Sequence, residues 1–122
     1  MATFYDNPAL EGEPVMSRCF EAIVLDWGVG SPGEGLPVDG FSVRFATTAT
    51  FEGDYYDFSV AAEGGVRIWL DEGSIFDEWY DDPFDTGFSW LPGAGEHVIV
   101  VEFYDGVEGA SITFDWTKSV IE

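Results

Sequence analysis

Short runs of strictly alternating apolar and polar residues, punctuated by turn residues, constrain this chain more than any other feature. In Phe41-Ser42-Val43-Arg44-Phe45 the odd positions are apolar and the even ones polar, the period of a half-buried strand. Tyr56-Asp57-Phe58-Ser59-Val60 and Ile112-Thr113-Phe114-Asp115-Trp116 repeat it. Val66 to Leu70 and His97 to Tyr104 are denser in Val, Ile, Trp, Phe and Tyr, as expected of central strands covered on both faces. Between these runs stand turn clusters at Gly28 to Gly35, Glu52-Gly53-Asp54, Asp71 to Ser74, Pro92 to Gly95 and Asp105 to Gly109. No capped stretch of ten or more residues has a helical period. The expectation is an all-β fold, an antiparallel β-sandwich or jelly-roll-like barrel, forming one domain over residues 1–122 with 117–122 as an exit segment.

A chain of 122 residues is long enough to bury roughly two thirds of the surface its unfolded form exposes. With 46% hydrophobic and 17% aromatic residues it reads as a packed globule, despite a net charge of −20. That charge sets 24 acids against Arg18, Arg44, Arg67 and Lys118. Such a surface repels phosphate backbones and anionic headgroups, which argues against nucleic-acid partners and polybasic membrane binding. Divalent cations and basic partners remain compatible with it. Cys19 is the single cysteine, so no internal disulfide is possible, and with His97 as the single histidine no structural zinc set can form. Without a basic cluster near it in sequence, Cys19 reads as an inert packed thiol. There is no apolar run of about 18 residues and no basic-then-apolar leader, so the chain reads as neither membrane-inserted nor exported as written. An extracellular or cell-surface location would then mean excision from, or residence in, a larger exported protein.

Catalytic patterns fail on context. Gly28-Val29-Gly30-Ser31-Pro32-Gly33 satisfies the dinucleotide glycine spacing, but Pro32 interrupts it and no helix follows to supply the N-terminus that binds phosphate. Residues 77–87, DEWYDDPFDTG, suggest a calcium loop, yet Pro83 occupies the third ligand place counted from Asp81; the segment reads as a solvated acidic loop. Within it, Trp79 and Tyr80 are either packing residues or an aromatic platform for sugars. Paired carboxylates of the glycosidase kind occur by chance among 24 acids. His97 lacks a serine in a nucleophile-elbow pattern. A non-enzymatic chain is expected.

Five stretches in order carry a family resemblance: FYDNPALEGEPV at 4–15, DWGVGSP at 26–32, FSVRF at 41–45, GGVRIWLDEGSIFDEW at 64–79 and GEHVIVVEFYDGVEGASITFDW at 95–116. From Phe4 to about Lys118 the chain resembles the domain family named after the fourteen-kilodalton fragment of the anthrax protective antigen. The resemblance implies a β-sandwich module of secreted and surface proteins (adhesins, toxins, proteases, glycosidases), often binding carbohydrate or serving as an accessory unit. In sugar-binding members two adjacent aspartates and an asparagine on a later loop hold calcium. Here the aspartate positions fall on Glu63 and Gly64, and the later loop, Asp105-Gly106-Val107-Glu108-Gly109, has acids but no asparagine. Calcium wants six to eight oxygens, so the usual site reads as degenerate. A variant metal site from Glu63, Asp105 and Glu108 is the alternative, with Trp79 and Tyr80 beside it as ligand-binding residues. Arg44 and Arg67 match arginines of the family pattern and are expected to pair with carboxylates.

The leading expectation is therefore an extracellular accessory or interaction module with no obligatory cofactor, whose partner is a glycan or a surface protein. Calcium-assisted carbohydrate binding is the first alternative. Self-association through strand edges is the second, although the charge opposes it.

Overall fold

The computed structural model describes residues 2–7, 9–19, 23–28, 40–79, 83–105 and 110–118. Ten strands follow in chain order: β1 (Ala2–Tyr5), β2 (Met16–Arg18), β3 (Ile23–Gly28), β4 (Ser42–Phe51), β5 (Tyr56–Glu63), β6 (Gly65–Leu70), β7 (Gly73–Glu78), β8 (Pro83–Trp90), β9 (Gly95–Tyr104) and β10 (Ala110–Lys118). Every pairing is antiparallel. They form a six-stranded sheet, β2-β1-β4-β9-β6-β7, and a four-stranded sheet, β3-β10-β5-β8. No helix occurs among the described residues, so none there is long and apolar enough to cross a membrane.

Alternation turns one face of each sheet inward. In β5, Tyr56, Phe58, Val60 and Ala62 are buried, while Asp57, Ser59 and Glu63 are exposed. The six-stranded sheet contributes Phe4, Val43, Phe45, Val66, Ile68, Ile99, Val101 and Phe103 to the same core, each at most 5% exposed. Burying such a side chain contributes about 1.5–3 kcal/mol, which makes these positions the main stabilising set. Phe58 lies at its centre, its ring stacked on Phe88 at 5.3 Å and Phe114 at 6.0 Å.

The two sheets are joined at Glu63-Gly64-Gly65, where β5 of one sheet hands over to β6 of the other. Gly64 has φ +136°, and a Cβ there would lie 2.2 Å from the Tyr104 carbonyl oxygen. At Gly65 a Cβ would fall inside the Tyr104 ring, 2.1 Å from its Cε1. Two glycines are therefore required by close approach of β9, and the Glu63–Gly64 peptide is trans.

Three expectations are corrected. Asp77 and Glu78 end β7 and residues 83–87 open β8, so much of the segment read as a solvated loop is edge strand. Hydrogen bonding to β6 and β5 overrode its acidic composition. β6 and β9 are interior strands of their sheet, but only one of their faces meets the core; the other is open. Cys19 is exposed and in no disulfide, because it follows β2, the edge strand of the six-stranded sheet.

Candidate functional site

The outward face of the six-stranded sheet concentrates the chemistry. β4, β9 and β6 lie side by side in register, pairing Arg44 with Glu102 and Glu102 with Arg67. Glu102 is only 6% exposed, and both arginines turn to it. Arg44 donates from Nε (2.8 Å) and Nη2 (2.6 Å) to Oε2, and Arg67 from Nη2 to Oε1 at 3.0 Å. A buried carboxylate costs several kcal/mol unless compensated, and here two cations compensate it. The arginines of the sequence pattern thus meet the carboxylate expected of them.

Arg67 extends this network into an aromatic stack. Its Cζ lies 3.6 Å from the Trp79 ring centroid and 5.5 Å from that of Trp69. Trp79 in turn packs against Tyr104 at 4.6 Å. Trp79 is half-buried in this stack, which joins packing to a partly open aromatic face.

Beside the stack runs an open groove of about 830 Å³. Val98 and Val100 form its floor, Trp69 one wall, and Arg44 with Glu102 one end; Asp71 and Glu72 close the other. These two residues make the two-residue turn between β6 and β7, with φ of 51° and 73°. Positive φ at both central positions is the geometry hairpins prefer, but non-glycine residues adopt it at a cost. A clasp from β9 offsets that cost. The Asp71 N–H donates to Val98 O at 2.9 Å, Val98 N–H donates back to Asp71 Oδ1 at 2.8 Å, and His97 Nδ1 pairs with Asp71 Oδ2. His97 Nε2 meets Gly93 O at 2.9 Å. The hydrogen bond to Asp71, then that to Gly93, hold His97 above its ordinary pKa, while the His97 bond and the Val98 N–H hold Asp71 below its own.

The loop pair singled out in the sequence is partly assembled. Gly65 pairs with Tyr104, which places the Glu63-Gly64 turn beside Asp105. The two carboxylates sit differently, however. Glu63 is exposed at the end of β5, opposite Ser111 and Pro83 of the four-stranded sheet. Asp105 is wholly enclosed, its N–H donating to Phe41 O and its carbonyl accepting from Gly40. Among the described residues no three His, Cys, Asp or Glu side chains gather as a metal set. Two carboxylates fall short of calcium's oxygen count, and Glu108, the third expected ligand, lies outside the described residues, as does Tyr80.

Sequence reasoning passed over Trp69, Asp71, Val98, Val100 and Glu102. Their signal was present: Trp69, Val98 and Val100 stand at positions where a one-sided strand would carry polar residues. That surplus was read as burial on both faces.

A sandwich of these two sheets with this handover turn defines a non-helical β module, and comparison places it in a family. The PA14 domain model matches residues 1–122, and the chain belongs to the PA14 domain family. It is similar to the anti-sigma-I factor RsgI3 of Acetivibrio thermocellus, 30% identical over 106 residues, covering 83% of this chain and 16% of that protein. The chain thus spans about a sixth of the curated relative it matches. An anti-sigma factor domain-containing protein from Clostridium clariflavum superposes with a TM-score of 0.86 at 24% identity, over 97% of this chain and 41% of that one. A β-glucosidase from Kluyveromyces marxianus contains a similar fold, with a TM-score of 0.80 and 18% identity over 98% of this chain and 16% of the enzyme. The last two likenesses bear on fold alone.

Proposed function

We propose that this PA14 domain is a non-enzymatic accessory or interaction module, carried by a larger secreted or cell-surface protein. The observation that supports it best is the state of the single histidine. Both ring nitrogens of His97 are engaged, with Asp71 and with Gly93 O, and an engaged imidazole is poorly placed to act as a general base. The carboxylate Glu102, further along β9, is neutralised by two arginines. Proteins named as an anti-sigma factor and a β-glucosidase carry the fold as a minor part of a longer chain, which agrees with an accessory role. The test is incubation of residues 1–122 with aryl glycosides and polysaccharides, following released aglycone and reducing ends. No turnover above buffer is expected, together with retention of the domain on cell-surface or polysaccharide material. Turnover that His97→Ala or Glu102→Gln abolishes would make it an enzyme.

A second reading, calcium-assisted carbohydrate binding through Glu63, Asp105 and Glu108, draws support from the pairing that sets the Glu63 turn beside Asp105. Its test is the unfolding midpoint in calcium against chelator, with magnesium as control. A ligand at 100 times its dissociation constant adds about 2.7 kcal/mol. A calcium-only rise, removed by Glu63→Ala, is expected on this reading; equal effects of calcium and magnesium would leave only charge screening.

A further inference from the structure

We infer that β8, the free edge of the four-stranded sheet, is a docking edge for an extended segment of another polypeptide, which adds to the sheet as a fifth strand with basic and apolar side chains in alternation. The inference rests on reading the domain as an interaction module and deepens it by naming the chemistry of the partner.

Four strands are sheet edges: β2 and β7 in one sheet, β3 and β8 in the other. An edge presents unpaired N–H and C=O groups, and shortness, a bulge or a charge commonly blunts it. β2 has three residues, and the ladders of β3 and β7 each carry a register shift. β8 has eight residues in unbroken register with β5, its one neighbour among the described residues, and Asp85 is its one charged side chain. Pro83 stands first in the strand, where it leaves the rest of the edge intact.

The core is unfinished at this edge. Phe84, Thr86, Phe88 and Trp90 share the inward side of β8, across from Ala62, Val60, Phe58 and Tyr56 of β5. Those four β5 residues are at most 7% exposed, whereas Phe84 and Phe88 are half-buried and Thr86 and Trp90 are exposed. Phe76 of β7 meets Phe84 at 5.7 Å and Phe88 at 5.6 Å, so the two sheets end together over this opening. Just past the last ladder pair, Tyr56 with Trp90, stand Tyr55 and Leu91, 51% and 50% exposed, across from each other. Three of the six large apolar side chains exposed among the described residues thus meet at one end of the edge, while Val15, Val24 and Val98 lie apart on other segments. Exposed apolar groups gathered in this way mark interaction surfaces.

Strand alternation and charge then specify the occupant. Every second side chain of an added strand lies over the inward row of β8 and is apolar. The others lie on the outer side, beside Asp85 and Asp57, where Glu63 and Asp115 are also exposed and no basic side chain stands among the described residues. Opposite charges across a strand pair stabilise it and like charges oppose it, which favours lysine or arginine at these positions. A second copy of this chain would set acid against acid. With a net charge of −20, the field of the whole molecule also speeds the approach of a basic segment.

The experiment is a fluorescence-anisotropy titration of residues 1–122 into an end-blocked, labelled octapeptide alternating lysine and valine, at physiological ionic strength. Saturable binding with a dissociation constant of about 100 μM or below is expected, with added protection from amide exchange within residues 84–90. A peptide with the same lysines and valines in two blocks, and the alternating peptide N-methylated throughout, are expected to bind about tenfold more weakly or worse. Asp85→Lys and Trp90→Ala should each weaken binding about tenfold, and Asp115→Lys, the same charge change away from the edge, by less than about threefold. Unchanged unfolding midpoints verify that the variants are folded, and Asp85→Lys, at an exposed position, keeps the test valid if Trp90→Ala is not. The proposal is overturned by absence of saturation, by equal binding of the block or N-methylated peptide, or by equal losses from Asp85→Lys and Asp115→Lys. Sedimentation without peptide is expected to show a monomer; a dimer that Trp90→Ala dissolves would assign the edge to a second copy and overturn it too. Failure of the module reading would appear separately, as turnover in the glycoside assay.

Discussion

The outer face of the six-stranded sheet and that of the four-stranded sheet are produced by one alternating pattern, yet they carry opposite side chains. The first bears Trp69, Trp79, Tyr104, Val98 and Val100 around the Arg44–Glu102–Arg67 network. The second presents small and acidic residues: Asp57, Ser59 and Ala61 on β5, Asp85, Gly87 and Ser89 on β8, Thr113, Asp115 and Thr117 on β10. Across its strands Ser89 Oγ donates to Asp57 Oδ1 at 2.9 Å. Large amphipathic groups that touch one another create relief, and relief creates a groove. Short side chains leave a shallower acidic surface, on which Val24 of β3 is also exposed, and its charge repels copies of itself. Burial of a polar hub accounts for the contrast: Glu102 holds two arginines beside it, and the planar head of Arg67 provides the surface on which Trp79 stacks.

The contrast is most severely broken where the faces are joined. Gly64→Ala places a Cβ against the Tyr104 carbonyl at a backbone angle unfavourable to alanine, and is expected to cost about 2–4 kcal/mol in denaturant unfolding. A loss under about 0.5 kcal/mol would mean that the handover turn can be rebuilt without Tyr104. Next comes the hub. Glu102→Ala leaves Arg44 and Arg67 facing each other without their anion, and an expected loss of about 2–3 kcal/mol allows for the partial exposure of both arginines. Replacing Glu102 and both arginines together should restore part of that loss, and an additive outcome would show that the three act independently.

The turn at the groove's end responds to pH. His97 is held above its ordinary 6.5, so the clasp contributes fully below 6.5 and fades as pH rises through the raised value. Asp71 is held below its ordinary 3.8, so its share is present above 3.8 and is lost as pH falls through the lowered value. Asp71→Asn keeps a residue that tolerates positive φ while removing the charge. The midpoint difference between the parent chain and this variant should be widest between those values and narrow above them; a difference constant across that range would assign the clasp no proton linkage. The smallest effect is expected on the shallower face. Thr113→Lys points into solvent and should change stability by no more than about 0.5 kcal/mol, in the stabilising direction and most visibly at low salt. A clear loss there would contradict the view of that face as passive.

Much of this architecture was legible in the linear pattern. Phe41 to Phe45, Tyr56 to Val60 and Ile112 to Trp116 alternate, and their apolar members are buried, with Trp116 half-buried against the core, because a period of two admits one arrangement on a sheet with one covered face. The five ordered stretches at 4–15, 26–32, 41–45, 64–79 and 95–116 pointed to the family that the full-length match establishes. The acidic stretch 77–87 was read as loop because composition is a local quantity, whereas its strands exist through hydrogen bonds to β6 and β5, distant in neither space nor energy but invisible to a local window.

The sequence by itself determined the class of fold, the inward residues of the alternating strands and the pairing of both strand arginines with carboxylate, since periodicity and charge imbalance act on every chain alike. Tertiary structure alone decided which carboxylate they share, that Asp71-Glu72 could turn without glycine, and that Trp69, Val98 and Val100 line an open groove. Each depends on β4, β6 and β9 lying side by side, and register between strands tens of residues apart is set by the closing of the whole core.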